Sequence, residues 1–328
     1  MKKIIAMALA VMLVLSMAAC GTAQAGTATG GDAAGEKTYT IGICQFLPHP
    51  ALDKATEGFQ AAVKEKMGDA VTFDVQNAAG EASNCSTIVN GFVSSKVDLI
   101  MANATPAVAA AYNATETIPI LGTSVTEYGV ALGIEDFSGT VGANVSGTSD
   151  LADLKLQAEM VTEWVPTAQK VALLYCSAEA NSKYQVDVVK AELEAKGLEC
   201  DIFAFADTSD LMSNVQEAVA YGDVIYVPTD NTVANNATTI DSIARPAGVP
   251  IIAGEVGICV NCGIATMSID YYDLGYETGM MAVEILRDGA DITQMAIRYA
   301  PEVTYQYNAE ICAELGITPL EGYEPIEG

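Results

Sequence analysis

The residues of this chain that could hold or transform another molecule recur at one kind of place. Short polar motifs follow short apolar runs. Gln45, Phe46 and His49 follow Ile41–Cys44, and Asn103-Ala104-Thr105-Pro106 follows Asp98–Ala102. Gly122-Thr123-Ser124-Val125 follows Ile118–Leu121. Further along come Ser177 to Asn181-Ser182, then Pro228-Thr229-Asp230-Asn231, then Gly254-Glu255, each after another apolar run. Hydroxyls, amides and carboxylates of this kind can hold the polar groups of a small ligand by hydrogen bonds and charge. Any one motif is equally a helix N-cap, since Ser, Thr, Asn and Asp accept from the free N–H groups of a first turn. Six of them in the same setting point to a shared site.

Catalytic chemistry finds less support. His49 is the single histidine, so a Ser-His-Asp set would have to use it. There is no GxSxG, no Walker motif and no GxGxxG, and the expectation is a binder rather than an enzyme, with no cofactor. Cys259-Val260-Asn261-Cys262 is one CxxC, without the second pair or neighbouring histidines that zinc needs. No metal is expected; a local disulfide and two free thiols both remain open. Cys44, Cys176 and Cys312 lie in apolar patterns, as small core residues do.

The elements that must position these motifs alternate. In Ile41–Phe59 an apolar strand breaks at Pro48 and Pro50 and restarts as an amphipathic helix. Leu52, Ala55, Phe59, Ala62, Val63 and Met67 fall on one helical face. Pro50 suits a first helical position, where its missing N–H would have no partner. Strands at Val71–Val75, Asp98–Ala102 and Ile118–Leu121 alternate with helices at Ser83–Ser95 and from Thr105. The rhythm then repeats. Helices are expected at Asp150–Trp164, Lys183–Lys196, Asp210–Tyr221 and Val233–Ala247, with strands at Val171–Cys176, Cys200–Phe205, Val224–Val227 and Pro250–Ala253. Such βαβ arrays build parallel sheets with helices on both faces. The fold class is therefore α/β, with two doubly wound lobes. In each lobe the polar motifs share one edge, where ligands bind. The glycine-rich Val141–Gly147 reads as the join. Ile264–Ile269 and Ala296–Tyr305 read as further crossings, around the helix Tyr271–Arg287 and before Ala309–Leu315.

Composition narrows the setting. Lys2 and Lys3, the apolar Ile4–Met17 and Met17-Ala18-Ala19-Cys20 read as a signal peptide over residues 1–19 with a lipobox, so that Cys20 carries lipid. Residues 20–37 then form a flexible tether, and the protein is anchored to the outer face of a bacterial membrane without spanning it. Removing residues 1–19 takes the net charge from -27 to -29. That field repels phosphate backbones, so nucleic acid is not an expected partner.

The runs IGICQFLPHPALDKATEGF, VDLIMANATPA, VSGTSD, SAEANS, VIYVPTDNTVA and IDYYDLGYETGMMAVEIL, in order over residues 38–317, resemble the solute-binding lipoproteins of bacterial ABC importers, tryptophan-binding-like members included. The resemblance implies the type I periplasmic-binding-protein fold: two lobes, three crossing segments and a ligand trapped by hinge closure. On that pattern residues 38–143 and 270–295 form one lobe, and 144–269 and 296–328 the other. It also implies a monomer that passes an amino acid, aromatic by preference, to a permease and an ATPase; a sensory or nucleoside-binding lipoprotein of the same fold is the alternative. For an amino acid, the carboxylate would suit the helix start at Thr105-Pro106, with donors from Ala107 N–H, the Thr105 hydroxyl, Thr123, Ser124 and Val125. Asp230, or else Glu255, would hold the ammonium. Phe46 and Tyr184 would pack on a ring, and His49, Asn181, Ser182, Thr229, Asn231 and Gln45 would complete the walls.

Overall fold

A computed structural model describes residues 37–300 and 302–326 of the chain. The expected signal segment, Cys20 and most of the tether lie outside the described residues.

The chain begins with strand β1 (Tyr39–Gln45), helix α1 (Pro50–Met67), β2 (Val71–Asn77), α2 (Ala82–Ser95), β3 (Leu99–Asn103) and α3 (Thr105–Ala114). Then come β4 (Ile120–Val125), α4 (Tyr128–Leu132) and β5 (Val145–Ser149). A second array runs α5 (Leu154–Trp164), β6 (Lys170–Cys176), α6 (Ala180–Ala195), β7 (Glu199–Phe205), α7 (Leu211–Tyr221) and β8 (Val224–Val227). It continues with α8 (Asn231–Asn235), α9 (Ala237–Ala244), β9 (Ile251–Ala253), α10 (Val256–Cys262) and β10 (Ala265–Ser268). The last elements are α11 (Tyr271–Leu286), β11 (Arg298–Tyr299), β12 (Thr304–Tyr307), α12 (Ala309–Leu315) and β13 (Glu324–Pro325).

These strands form two sheets, one per lobe. The first has the order β11-β5-β4-β3-β1-β2 and the second β13-β12-β10-β9-β8-β6-β7. All pairings are parallel except β10 with β12. The central strands β3, β4, β6 and β8 are buried almost throughout, which explains their continuous apolar runs.

The join expected at Val141–Gly147 falls elsewhere. Val145–Ser149 is a strand of the first sheet, paired with β4. Its residues are small because the space above them is taken. A Cβ on Gly147 (φ 145°) would lie 2.0 Å from the Gly122 carbonyl oxygen and 2.5 Å from the Tyr128 hydroxyl. Close strand approach, rather than a hinge, selected that glycine. The chain changes sheets at Asp150–Asp153, again at Ile269–Asp270, and a third time between Tyr299 and Thr304. Residues 145–149 and 298–299 therefore belong to the first sheet rather than to the second lobe. The expected helix Asp150–Trp164 starts only at Leu154, where Asp153 accepts from Lys155 and Leu156 N–H.

After the second crossing, α11 packs back on α1. A Cβ on Gly275 would lie 1.9 Å from the Ala55 carbonyl oxygen, and one on Gly58 2.0 Å from that of Tyr272. This seam of small residues brings the two helix backbones together and fixes α11 to the first lobe.

Candidate functional site

The C-terminal strand edges of both sheets face each other, and the polar motifs meet between them. Two narrow adjoining spaces open there. One is lined by His49, Leu52, Asp150, Thr229, Asp230, Asn231, Ala234, Glu255 and Tyr271. The other shares Asp150, Thr229, Glu255 and Tyr271 and adds Ala152, Gly254, Met267, Ser268 and Ile269. Neither is lined by a lysine or an arginine.

Three carboxylates reach this cleft, and they differ in what is left of them. Asp230 caps α8. Its Oδ1 accepts from Val233 N–H at 2.8 Å and its Oδ2 from Cys176 N–H at 2.7 Å. Burial, with Glu179 beside it, pushes its pKa well up. Glu255 caps α10 through Gly257 and Ile258 N–H at 2.7 and 2.5 Å. Burial raises it too, against the pull of His49. Asp150 is different. Its Oδ2 accepts the Tyr271 hydroxyl at 3.0 Å, while its Oδ1 is buried without a hydrogen-bond partner. Burial lifts its pKa to about 6, against the Thr126 and Tyr271 hydroxyls. A buried acceptor left open costs free energy until something fills it.

In the sequence Asp150 reads as a helix start, which hides it as a site residue. The available signal was that Asp153 already supplies the cap, so Asp150 is surplus to α5.

The first lobe contributes a second open group. Ser124 lies at the end of β4, where the register with β5 shifts, and has φ 54°. Its hydroxyl is buried without a partner. Ala104, at the end of β3, has φ 89°. Non-glycine residues at positive φ carry strain, and strain of this kind gathers at functional edges.

Several expected site residues have other work. The Gln45 side-chain amide binds Asp53 and Thr56 on α1, at 2.6 and 2.7 Å. Phe46 packs in the first-lobe core. Ala107 N–H donates to the Ala104 carbonyl at 3.0 Å, so it is not free for an anion. Thr105 is buried in the first turn of α3, and Pro106 beside it has no N–H. The Thr123 hydroxyl shares a hydrogen bond with Thr148, which shares another with Thr278 on α11. Val125 is buried. Asn181 Nδ2 donates to the Thr229 carbonyl at 3.1 Å, and Ser182 braces Asp230, so both support the Pro228–Asn231 turn from behind. Tyr184 lines a separate cavity of about 440 Å³ with Tyr128, Phe137 and Tyr299. His49, Thr229, Asp230, Asn231 and Glu255 do come together on the cleft.

The lobes touch across it: His49 Nε2 lies 3.1 Å from Asn231 Oδ1. Cys259 and Cys262 are unbridged and buried on α10. Among the described residues no group of three or more His, Cys, Asp and Glu could hold a metal ion, and no helix is long and apolar enough to cross a membrane.

Residues 40–322 match the model of the family described as ABC transporter substrate binding protein. The chain is 35% identical over 288 residues to the tyrosine-binding protein of Clostridioides difficile (strain R20291), covering 87% of this chain and 83% of that one. It superposes with a TM-score of 0.84 on an ABC domain from Streptococcus pneumoniae in complex with L-Trp, at 31% identity, covering 88% of this chain and all of the other. Against a ligand-free, open substrate binding protein from Clostridium difficile the TM-score is 0.68, although the identity is 34%, with 88% and 99% covered. The better fit to the ligand-bound chain, despite its lower identity, agrees with the contact between the lobes: the cleft here is closed. The type I periplasmic-binding-protein fold expected from the sequence is the fold observed.

Proposed function

We infer that this chain, which belongs to the ABC transporter substrate binding protein family, captures an L-amino acid with an aromatic side chain between its lobes and delivers it to the permease and ATPase of an importer. The observation that carries this reading is Asp150, whose open carboxylate oxygen is buried in a cleft lined by no lysine or arginine. Such a cleft favours a ligand that brings its own positive charge. The relatives' ligands, tyrosine and L-Trp, meet that need with an ammonium group.

Asp150 replaces Asp230 as the ammonium partner in this reading, because both oxygens of Asp230 already serve backbone N–H groups. The ligand carboxylate is assigned to the Ser124 hydroxyl, the open donor at the end of β4. The Tyr271 ring and Leu52 supply the apolar wall, in place of Phe46 and Tyr184. The protein acts as a monomer held to the outer face of the membrane through lipid on Cys20, and it performs no catalysis.

Titration calorimetry tests the ligand class. L-tyrosine, L-tryptophan and L-phenylalanine should release or absorb heat at 1:1 stoichiometry, while sugars and nucleosides should not. Heat from a sugar or nucleoside alone would overturn the amino-acid reading. Cys20→Ser should free the protein from the membrane fraction; firm retention of the variant would remove the anchor.

A further inference from the structure

We propose that Glu179, Asn231 and His49 form a latch that holds the two lobes shut, with Glu179 as its positioning residue. The proposal rests on the reading of the cleft as a closing ligand site, and it adds a residue that neither lines that cleft nor stood out in the sequence.

Glu179 precedes α6 and is 1% exposed. Its carboxylate lies among donors from the neighbouring turn. Oε2 accepts from Asn231 N–H at 3.2 Å and from Asn231 Nδ2 at 2.7 Å. Oε1 accepts from Thr232 N–H at 2.8 Å and the Thr232 hydroxyl at 2.7 Å. Both carboxylate oxygens act as acceptors here, which fixes the way the Asn231 amide faces. The NH₂ group must point to Glu179, and Oδ1 is left pointing across the cleft.

There it meets His49, the residue just before α1 in the other lobe, at 3.1 Å. Since Asn231 Oδ1 can only accept, His49 Nε2 must carry the hydrogen and donate it. The orientation follows from the hydrogen-bond network. The chain of constraint thus runs from one buried carboxylate, through a locked amide, to the tautomer of a histidine on the opposite lobe. The bond between His49 and Asn231 exists only when the lobes are together. It therefore favours the closed state by its full value and slows ligand escape without touching the encounter step.

The rate of L-tyrosine or L-tryptophan release from the full chain reads this directly, by stopped-flow displacement. His49→Phe keeps a ring and removes the donor. Glu179→Gln keeps the shape and puts an NH₂ group where acceptors are needed. Each should speed release about five- to tenfold, the worth of one hydrogen bond, with the association rate unchanged. The double variant should be no faster than either single one, because all three lose the same bond. Release rates that multiply in the double variant would make Glu179 a local brace only and overturn the relay. If Glu179→Gln does not fold, Asn231→Leu replaces it in the same cycle and is read the same way. Small-angle scattering of the ligand-free proteins separates this failure from that of the amino-acid reading. The variants should be more expanded than the wild type even if no amino acid binds, and identical profiles together with identical release rates would remove the latch.

Discussion

The two walls of the cleft are built on opposite plans. The second lobe brings most of the charge: Glu179, Asp230 and Glu255 are all buried at its edge. Yet each spends both carboxylate oxygens on nearby N–H donors, most of them in the backbone. The first lobe and its crossing bring little charge, but three of their polar groups are buried and unfilled, Asn103 Oδ1, Ser124 Oγ and Asp150 Oδ1, against Asn181 Oδ1 at the edge of the second lobe. Charge counted along a sequence is therefore a poor guide to a charged site. What matters is the lone pair left over once the fold has taken its share. On the proposed ligand assignment the first wall would read the ligand and the second would close over it.

The strongest test of the contrast is Asp150→Asn. Loss of a buried charged partner should weaken L-tyrosine or L-tryptophan binding by about 2–5 kcal/mol, seen by calorimetry. The same change should stabilise the ligand-free protein. Folding raises this carboxyl from 3.8 to about 6. Between those values the folded chain keeps a proton that the unfolded chain has released, so stability falls as pH rises through that window. Above it, the ionised form costs on the order of 3 kcal/mol, and asparagine should recover much of that as a higher Tm at neutral pH. Wild-type affinity should also drop as pH falls below about 6, while the variant's profile stays flat. Binding that is unchanged in Asp150→Asn would end the distinction between the walls.

Asp230→Asn should show the reverse. Asparagine still caps α8, but its NH₂ group would face Cys176 N–H, donor against donor. Thermal melts should show a loss of roughly 1–3 kcal/mol, with ligand affinity nearly unchanged once the protein is folded. A large affinity loss with no change in Tm would return Asp230 to the ammonium role.

Tyr271→Phe should give the smallest effect. The hydroxyl that donates to Asp150 is lost, which removes one of the influences holding that carboxyl down. The pH at which binding weakens should move up from the wild-type value, and affinity at neutral pH should fall by about 1 kcal/mol. A pH profile that does not move would show that Tyr271 does not tune Asp150.

The alternation of strands and helices was legible in the sequence because buried parallel strands are apolar on both faces. The edge motifs were legible for the same reason. Strand β5 was not, because its neighbours demand small residues, and Val145-Ser146-Gly147-Thr148-Ser149 then looks like a linker. Helix α8–α9 read as one element because its break at Asn236 carries no proline or glycine. Asp230 and Glu255 were placed on the right edge, but their hydrogen bonds come from residues whose positions only the folded turns define. Glu179 was invisible as a site residue: its donors, Asn231 and Thr232, lie far along the chain and reach it through the pairing of β6 with β8.

The seam between α1 and α11 also sets a timetable. Among the described residues, Ala55 and Gly58 belong to the first helix made, and Gly275 and Gly279 to nearly the last. The second lobe has most of its sheet in one continuous stretch, from β6 to β10. The first must wait for the far end of the chain before α1 is covered and β5 gains β11. Closing so long a loop is entropically slow. The lobe that reads the ligand should thus be the last to mature, leaving the face of α1 around Phe59 uncovered until the end of synthesis. That interval is when a newly made chain would most need shielding from its neighbours.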